Sequence, residues 1–311
     1  MAHCAGSVPR MRVECSGLIK DFGKYRAVSD LSFTLEPGVV TGFLGPNGSG
    51  KSTTMRMMLG LDHGGGQTLF DGAPLESYRR PAAVVGAHLD AKFFHPSRTA
   101  RDHLRMLAAA SGASKARINE VLHLVGLEAV ADKRPKGFSL GMGQRLGLAG
   151  AILADPDVLL LDEPANGLDP QSISWLREFI AAYAARGKVV LVSSHLLSEM
   201  QLLAEHLVVI GRGHLIADES LAAFVSRSTR NDVFVRTPDV PRLIAVLTAR
   251  GMSAEPDADG VRVTGASSEQ VGAAAFAESV ELHELTQRAA TLEEAFLEVT
   301  SGTQEYTMGQ S

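Results

Sequence analysis

Short apolar runs alternate with amphipathic stretches along the chain. Val13–Ile19, Ala27–Leu35 and Val39–Leu44 are rich in aliphatic and β-branched residues and predict strands. Ser52–Leu59 then changes to helical spacing. Ala82–His88 predicts a buried strand. Helices are expected over Thr99–Ala110, Lys115–Val125 and Gly143–Ala154, separated by Gly, Pro and Lys. Val158–Leu161 is a four-residue apolar run ending at Asp162, the form of a strand covered on both faces. Pro170–Arg186 predicts a helix and Lys188–Ser193 a strand, followed by a helix from Leu196 and the strand Leu207–Ile210. Strands alternating with helices imply a parallel sheet of the α/β class. The run of helices over about 91–156 interrupts that alternation and reads as an inserted helical subdomain. Gly64-Gly65-Gly66 reads as a plain loop, because no Lys or Ser/Thr follows at phosphate-loop spacing.

Beyond Glu219 the pattern changes. Asp232–Arg236 and Gly260–Thr264 predict short strands, and Val240–Arg250 and Leu292–Val299 amphipathic helices, together a small α+β module. Charge changes at the same place. The formal net charge is −5, and the seven basic and thirteen acidic residues from Ser220 onward carry −6, leaving +1 for the rest. A flexible tail (1–10), one domain over 11–219 and an accessory domain over 220–311 are therefore expected. The length of 311 residues agrees with two domains.

Composition narrows the class. Hydrophobic residues make up 45% and charged residues 21%, which excludes collagen-like, disulfide-scaffold and wholly disordered chains. The negative balance argues against binding nucleic acid by bulk charge. Cys4 and Cys15 have no metal-site spacing, and a reducing compartment is the default. No apolar run reaches the roughly 18 residues of a membrane helix. Leu146–Leu161 comes nearest and is broken by Asp155, Pro156 and Asp157. The N-terminus lacks the apolar core of a signal peptide. The chain is expected to be soluble by itself and to reach a membrane only through a partner.

Two motifs carry chemistry. Gly45-Pro46-Asn47-Gly48-Ser49-Gly50-Lys51-Ser52-Thr53 matches G-x-x-x-x-G-K-[ST] between a predicted strand and a predicted helix. Its glycines let backbone N–H groups curl around phosphates, and the helix N-terminus adds positive potential. Lys51 can neutralise the β- and γ-phosphates, and the Ser52 hydroxyl can ligate Mg²⁺. The second motif is Val158-Leu159-Leu160-Leu161-Asp162-Glu163-Pro164. A buried strand ending in Asp162 sets a carboxylate at the sheet edge where the phosphate loop opens, suited to holding Mg²⁺. Glu163, one residue on, could polarise an attacking water.

With these motifs the chain resembles the ATP-binding subunit of an ABC transporter. Phe22 in Lys20-Asp21-Phe22-Gly23 resembles the aromatic that stacks on adenine, and Gly45–Thr53 resembles Walker A. Phe138-Ser139-Leu140-Gly141-Met142-Gly143-Gln144-Arg145 resembles the ABC signature with its downstream Gln-Arg. Leu160–Pro164 resembles Walker B, Gly167-Leu168-Asp169 the D-loop, and His195 in Ser193-Ser194-His195 the switch histidine. The order covers residues 11–219. Within the family the chain resembles the drug- and antibiotic-exporter type (daunorubicin-resistance-like) with a C-terminal extension.

The resemblance implies a P-loop ATPase fold and a homodimer sandwiching two Mg-ATP. Ser139, Gly141 and Met142 of one copy would face the nucleotide of the other, Asp169 would join the two sites, and His195 would hold the attacking water with Glu163. It further implies a separate transmembrane permease, a place at the cytoplasmic face of the membrane, and export of a drug, antibiotic or lipid. The helical insertion and the loop around Asp90 would face that permease. The other nine histidines have no ligand spacing and are read as non-catalytic.

The chain departs from the family pattern in three places. Leu140 replaces the first glycine of the signature and Met142 its glutamine. Asp90, in Val85–Pro96, falls where the family carries the Q-loop glutamine, and its carboxylate could ligate the metal. These departures leave open an ATP-binding regulatory protein with weak hydrolysis. A soluble ABC ATPase acting on nucleic acid or ribosomes is disfavoured by the single P-loop and the acidic tail.

Overall fold

The computed structural model describes residues 11–90, 94–95, 97–228, 232–288 and 290–300. The tail 1–10 with Cys4, and part of the loop after Asp90, lie outside the described residues. Two compact units are present, Met1–Glu219 and Ser220–Ser311.

The first unit runs β1 (Val13–Phe22), β2 (Tyr25–Leu35), β3 (Val40–Leu44), α1 (Lys51–Met58), β4 (Gly65–Phe70), α2 (Pro81–Val84), β5 (Val85–His88), α3 (Ala100–Ser111), α4 (Lys115–Leu124), α5 (Leu140–Ala151), β6 (Val158–Leu161), α6 (Pro170–Ala185), β7 (Val189–Ser193), α7 (Leu197–Leu203), β8 (His206–Gly211) and β9 (His214–Ser220). β2, β1 and β4 form one antiparallel sheet. The other sheet has the order β5-β6-β7-β3-β8-β9 and is parallel from β5 to β8. Every residue of β3, β6 and β7 is buried, which explains their unbroken apolar runs: a parallel sheet covered on both faces has no wet side for a polar residue. The two sheets meet through Phe33 and Phe43, whose ring centroids lie 5.7 Å apart.

Two sequence expectations need correction. Gly64–Gly66 is not a plain loop, because Gly65 and Gly66 open β4. A Cβ on Gly66 would stand 2.2 Å from the Gly17 carbonyl, so β1 and β4 approach as only glycine allows. Ala82–His88 is not one strand. Pro81 starts a single helical turn, α2, and β5 begins only at Val85. Between β5 and β6 stand α3, α4 and α5. Their N-terminal N–H groups are capped by Thr99, Ser114 and Ser139, each accepting from the backbone three residues on.

The second unit holds α8 (Leu221–Ser226), β10 (Asp232–Arg236), α9 (Val240–Ala249), β11 (Ser253–Asp257), β12 (Gly260–Thr264), α10 (Ser268–Ala277), β13 (Glu284–Arg288) and α11 (Leu292–Thr300). β10 to β13 form an antiparallel sheet ordered β11-β12-β10-β13. With α9 and α10 this is the split β-α-β-β-α-β arrangement of ferredoxin-like folds. Val233, Val235, Val261 and Val263 pack with Leu243 and Leu247 of α9 and Val271 of α10. Alternate residues of the strands carry paired charges instead: Asp257 receives Arg262 at 3.1 Å and Arg288 at 3.0 Å. Among the described residues no helix is long and apolar enough to cross a membrane.

Candidate functional site

The C-terminal ends of the parallel strands converge on a cleft of about 280 Å³, lined by Phe22, Tyr25, Ala27, residues 47–53, Asp162 and Glu163. Its floor is the turn from β3 into α1. Gly50 has φ +108°, and a Cβ there would meet the Ala27 carbonyl at 2.5 Å, so the turn closes only with glycine at this position. Lys51 is 7% exposed, and its ammonium donates to the carbonyls of Gly45 at 2.6 Å and Pro46 at 3.2 Å. Burial pulls its pKa below the ordinary lysine value, opposed by the carboxylates of Glu163 and Asp162. Ser49 Oγ is buried without a hydrogen-bond partner. Backbone curl, buried ammonium and orphaned hydroxyl together make a cradle for a polyphosphate.

The carboxylates stand on a braced edge. Asp162 follows β6, and its N–H donates to the His88 carbonyl at 2.8 Å. Ser193, the last residue of β7 and fully buried, donates its hydroxyl to Asp162 Oδ1 at 2.5 Å and accepts from the Glu163 N–H at 2.9 Å. Glu163 itself has φ +48°, a left-handed conformation costing about 1–2 kcal/mol for a side chain of this kind. The Ser193 bond and an Asn166 N–H donating to the Glu163 carbonyl at 3.1 Å hold it there. Glu163 Oε2 meets His195 Nδ1 at 2.6 Å and the His195 N–H at 3.3 Å. Carboxylate and imidazole thus form one oriented pair at the rim of the cleft.

Asp90 does not line this cleft. It lines a neighbouring, mostly apolar cavity of about 590 Å³ together with Ser52 and Asp162. One hydroxyl and two carboxylates suit Mg²⁺, which keeps waters and phosphate oxygens as its remaining ligands.

Ser139, Gly141, Met142 and Asp169 also stand apart from the cleft. Ser139 caps α5, accepting from the Met142 N–H at 3.2 Å. Leu140 is half exposed and leans on Gly167, where a Cβ would be 2.1 Å from its Cδ2. The leucine at this departure from the signature thus packs on the loop that leads to Asp169. Asp169 caps α6, accepting from Ser172 N–H and Oγ at 2.9 Å each, and those bonds hold its carboxyl below the usual carboxylate range. Arg145 links the two helices, donating to Ser172 Oγ at 3.0 Å with its guanidinium 4.7 Å from the centre of the Trp175 ring.

Three site neighbours escaped sequence reasoning. Tyr25 donates to the Gly48 carbonyl at 3.2 Å across the mouth of the phosphate loop. Ser193 bonds both Asp162 and the Glu163 N–H, and His88 bonds Gln144. Their only sequence signal is position: Ser193 and His88 end apolar runs beside the run that ends at Asp162.

The family model for ABC transporters matches residues 28–166. Over 301 residues the chain is 34% identical to the uncharacterized ABC transporter ATP-binding protein YhcH of Bacillus subtilis, covering 94% of this chain and 97% of that one. The chain belongs to the ABC transporter ATP-binding proteins. It is an ABC ATPase, binding ATP and hydrolysing it in step with transport, and subunits of this kind work with separate transmembrane permeases. The chain is also 36% identical over 209 residues to the lantibiotic transport ATP-binding protein SrtF of Streptococcus pyogenes, covering 67% of this chain and 90% of that one. To the bacitracin transport ATP-binding protein BcrA of Bacillus licheniformis it is 38% identical over 210 residues, 66% of this chain and 69% of that one. A solved ATP-binding subunit of an ABC transporter superposes with a TM-score of 0.64 at 26% identity, over 69% of this chain and 92% of that one. A dimeric bacterial ABC transporter cassette shares the fold, with a TM-score of 0.62 at 21% identity, over 67% of this chain and 98% of that one. Outside the ABC ATPase region, residues 231–293 match a domain of unknown function, DUF8746.

Proposed function

We propose that this ABC ATPase works as a homodimer around two Mg-ATP and drives a separate permease from the cytoplasmic face of the membrane. The observation that carries the reading is the Glu163–His195 pair at 2.6 Å beside the Lys51 cradle. Glu163 Oε2 serves as the general base that takes the proton of the attacking water. His195 orients that carboxylate and the water, and Lys51 answers the negative charge of the β- and γ-phosphates. Phe22, half exposed at the cleft wall, offers a ring face for adenine. Ser52, Asp162 and Asp90 hold the magnesium ion, which when bound neutralises charge on the transferring phosphoryl group.

Ser139, Gly141, Met142 and Asp169 lie outside their own cleft, which supports their serving the nucleotide of the second copy. The N-terminus of α5, which Ser139 caps, has the positive potential that suits an anionic γ-phosphate there. The helical region from α3 to α5 and the loop at Asp90 face the permease, and the apolar cavity beside Asp90 supports that assignment. The cargo of this motor is an exported drug, antibiotic or lipid, and the names of SrtF and BcrA, lantibiotic and bacitracin transport proteins, favour the antibiotic. The residues from 220 onward form an accessory domain of the motor.

The test is steady-state ATPase activity of the full chain with and without Mg²⁺, against Glu163→Gln. Removing a general base is expected to cut kcat by about 10²–10⁴-fold while ATP binding persists. Turnover that survives Glu163→Gln would overturn the assignment.

A further inference from the structure

β5 and α5 meet along a seam built on glycine. A Cβ on Gly147 would sit 2.2 Å from His88 Cε1 and 2.4 Å from its Nδ1, so the imidazole rests directly on the helix backbone. His88 is 3% exposed, and Gln144, one turn before Gly147, is 6% exposed. His88 Nε2 and Gln144 Oε1 are hydrogen-bonded. At its other end the amide donates from Nε2 to the Asn166 carbonyl at 3.3 Å. A carbonyl only accepts, so the amide nitrogen belongs on the Asn166 side and the oxygen on the His88 side. His88 Nε2 therefore carries a proton and donates it.

The partners of this pair lead to the carboxylates of the site. The His88 carbonyl takes the Asp162 N–H, and Asp90 follows two residues later. Asn166, held by Gln144 at its carbonyl, donates its own N–H to the carbonyl of Glu163. Gln144 belongs to the helix that Ser139 caps. For packing alone an apolar pair of equal volume would serve as well, because a buried polar pair gains little net stability.

We infer that His88 and Gln144 form a buried strut that positions the Glu163–Asp169 loop against the strand leading to Asp90. This rests on the reading of Glu163 as the base. Neither residue lines the cleft at the Lys51 cradle, so both are positioning residues. Their loss slackens the loop and lowers kcat, while the Lys51 cradle still binds ATP.

The test uses the full-length chain and three readouts: steady-state ATPase, affinity for a fluorescent ATP analogue without Mg²⁺, and Tm. Gln144→Glu keeps an acceptor toward His88 but turns a carboxylate oxygen on the Asn166 carbonyl, breaking the loop bond alone. His88→Leu breaks the other bond, and His88→Gln restores an N–H donor. Gln144→Glu and His88→Leu are expected to lower kcat about 10-fold or more, with KM and analogue affinity changed by about twofold or less. His88→Gln recovers part of the loss, and the double variant His88→Leu/Gln144→Leu is no worse than the weaker single variant. The imidazole ¹⁵N spectrum of His88 shows a protonated Nε2 whose resonance moves in Gln144→Glu. Unchanged kcat in variants that melt with the wild type overturns the inference, as do kcat and analogue affinity falling together with Tm, or a proton on Nδ1. If wild-type turnover survives Glu163→Gln, the reading of the base fails, while the spectrum still judges the strut.

Discussion

Ser193 is the residue on which both carboxylates of the cleft depend. Its one hydroxyl gives its proton to Asp162 and receives the N–H of Glu163, so it braces a carboxylate and a left-handed backbone at once. Ser193→Ala leaves a buried N–H without a partner, for about 1–3 kcal/mol of stability. It should also lower kcat about 10-fold with KM for ATP little changed, read by urea unfolding and initial rates. At this scale the sequence was legible wherever a motif fixes spacing along the chain. The Lys51 cradle and the 32-residue interval from Glu163 to His195 are of that kind, and the two side chains do meet. Tyr25, Ser193 and the His88–Gln144 pair were not legible, because each acts across elements distant in sequence. No local pattern marks a serine at the end of one strand as the partner of an aspartate at the end of another.

Among elements, burial decided what could be read. β6, β7 and the two predicted strands of the second unit announce themselves by apolar runs or alternation. β4 opens with Gly65 and Gly66, and β11 reads Ser-Ala-Glu-Pro-Asp, so neither has the aliphatic signature of a strand. Both are formed by pairing with a neighbour rather than by their own propensity. The seam of β5 and α5 is the element contact most open to test. Within a helix, replacing Gly147 by Ala would stabilise by about 1 kcal/mol on propensity alone. The imidazole of His88 reverses that sign. Gly147→Ala is expected to destabilise by about 1–3 kcal/mol. Gly137→Ala, where a Cβ meets nothing within 4 Å, should be neutral to about 0.5 kcal/mol. Equal Tm for the two variants would contradict the close approach.

At the scale of the whole molecule, each unit holds a hydrophobic cluster of its own among the described residues. One gathers Phe43, Met55, Phe70 and Leu160, and the other gathers Val233, Leu243, Val261 and Val271. Each buries the apolar faces of its own strands and helices, so calorimetry of the full chain is expected to resolve two transitions. A single transition with equal calorimetric and van't Hoff enthalpies would rule out independent units. The change of charge at Ser220 was legible at this scale, whereas the split β-α-β-β-α-β topology was not, since α10, β11 and β13 leave little pattern. The strand order of the first unit also has a consequence for synthesis. β3, which leads into the phosphate loop, is hydrogen-bonded on one side to β7 and on the other to β8. At ribosomal speeds of ~5–20 residues per second, the ~145 residues between β3 and β7 keep it waiting ~7–30 s for its first neighbour. β1, β2 and β4 can pair within that interval, because all three lie before Asp71. The nascent chain can therefore pair its antiparallel sheet long before it has a nucleotide site, and ATP can assist only the last part of its folding.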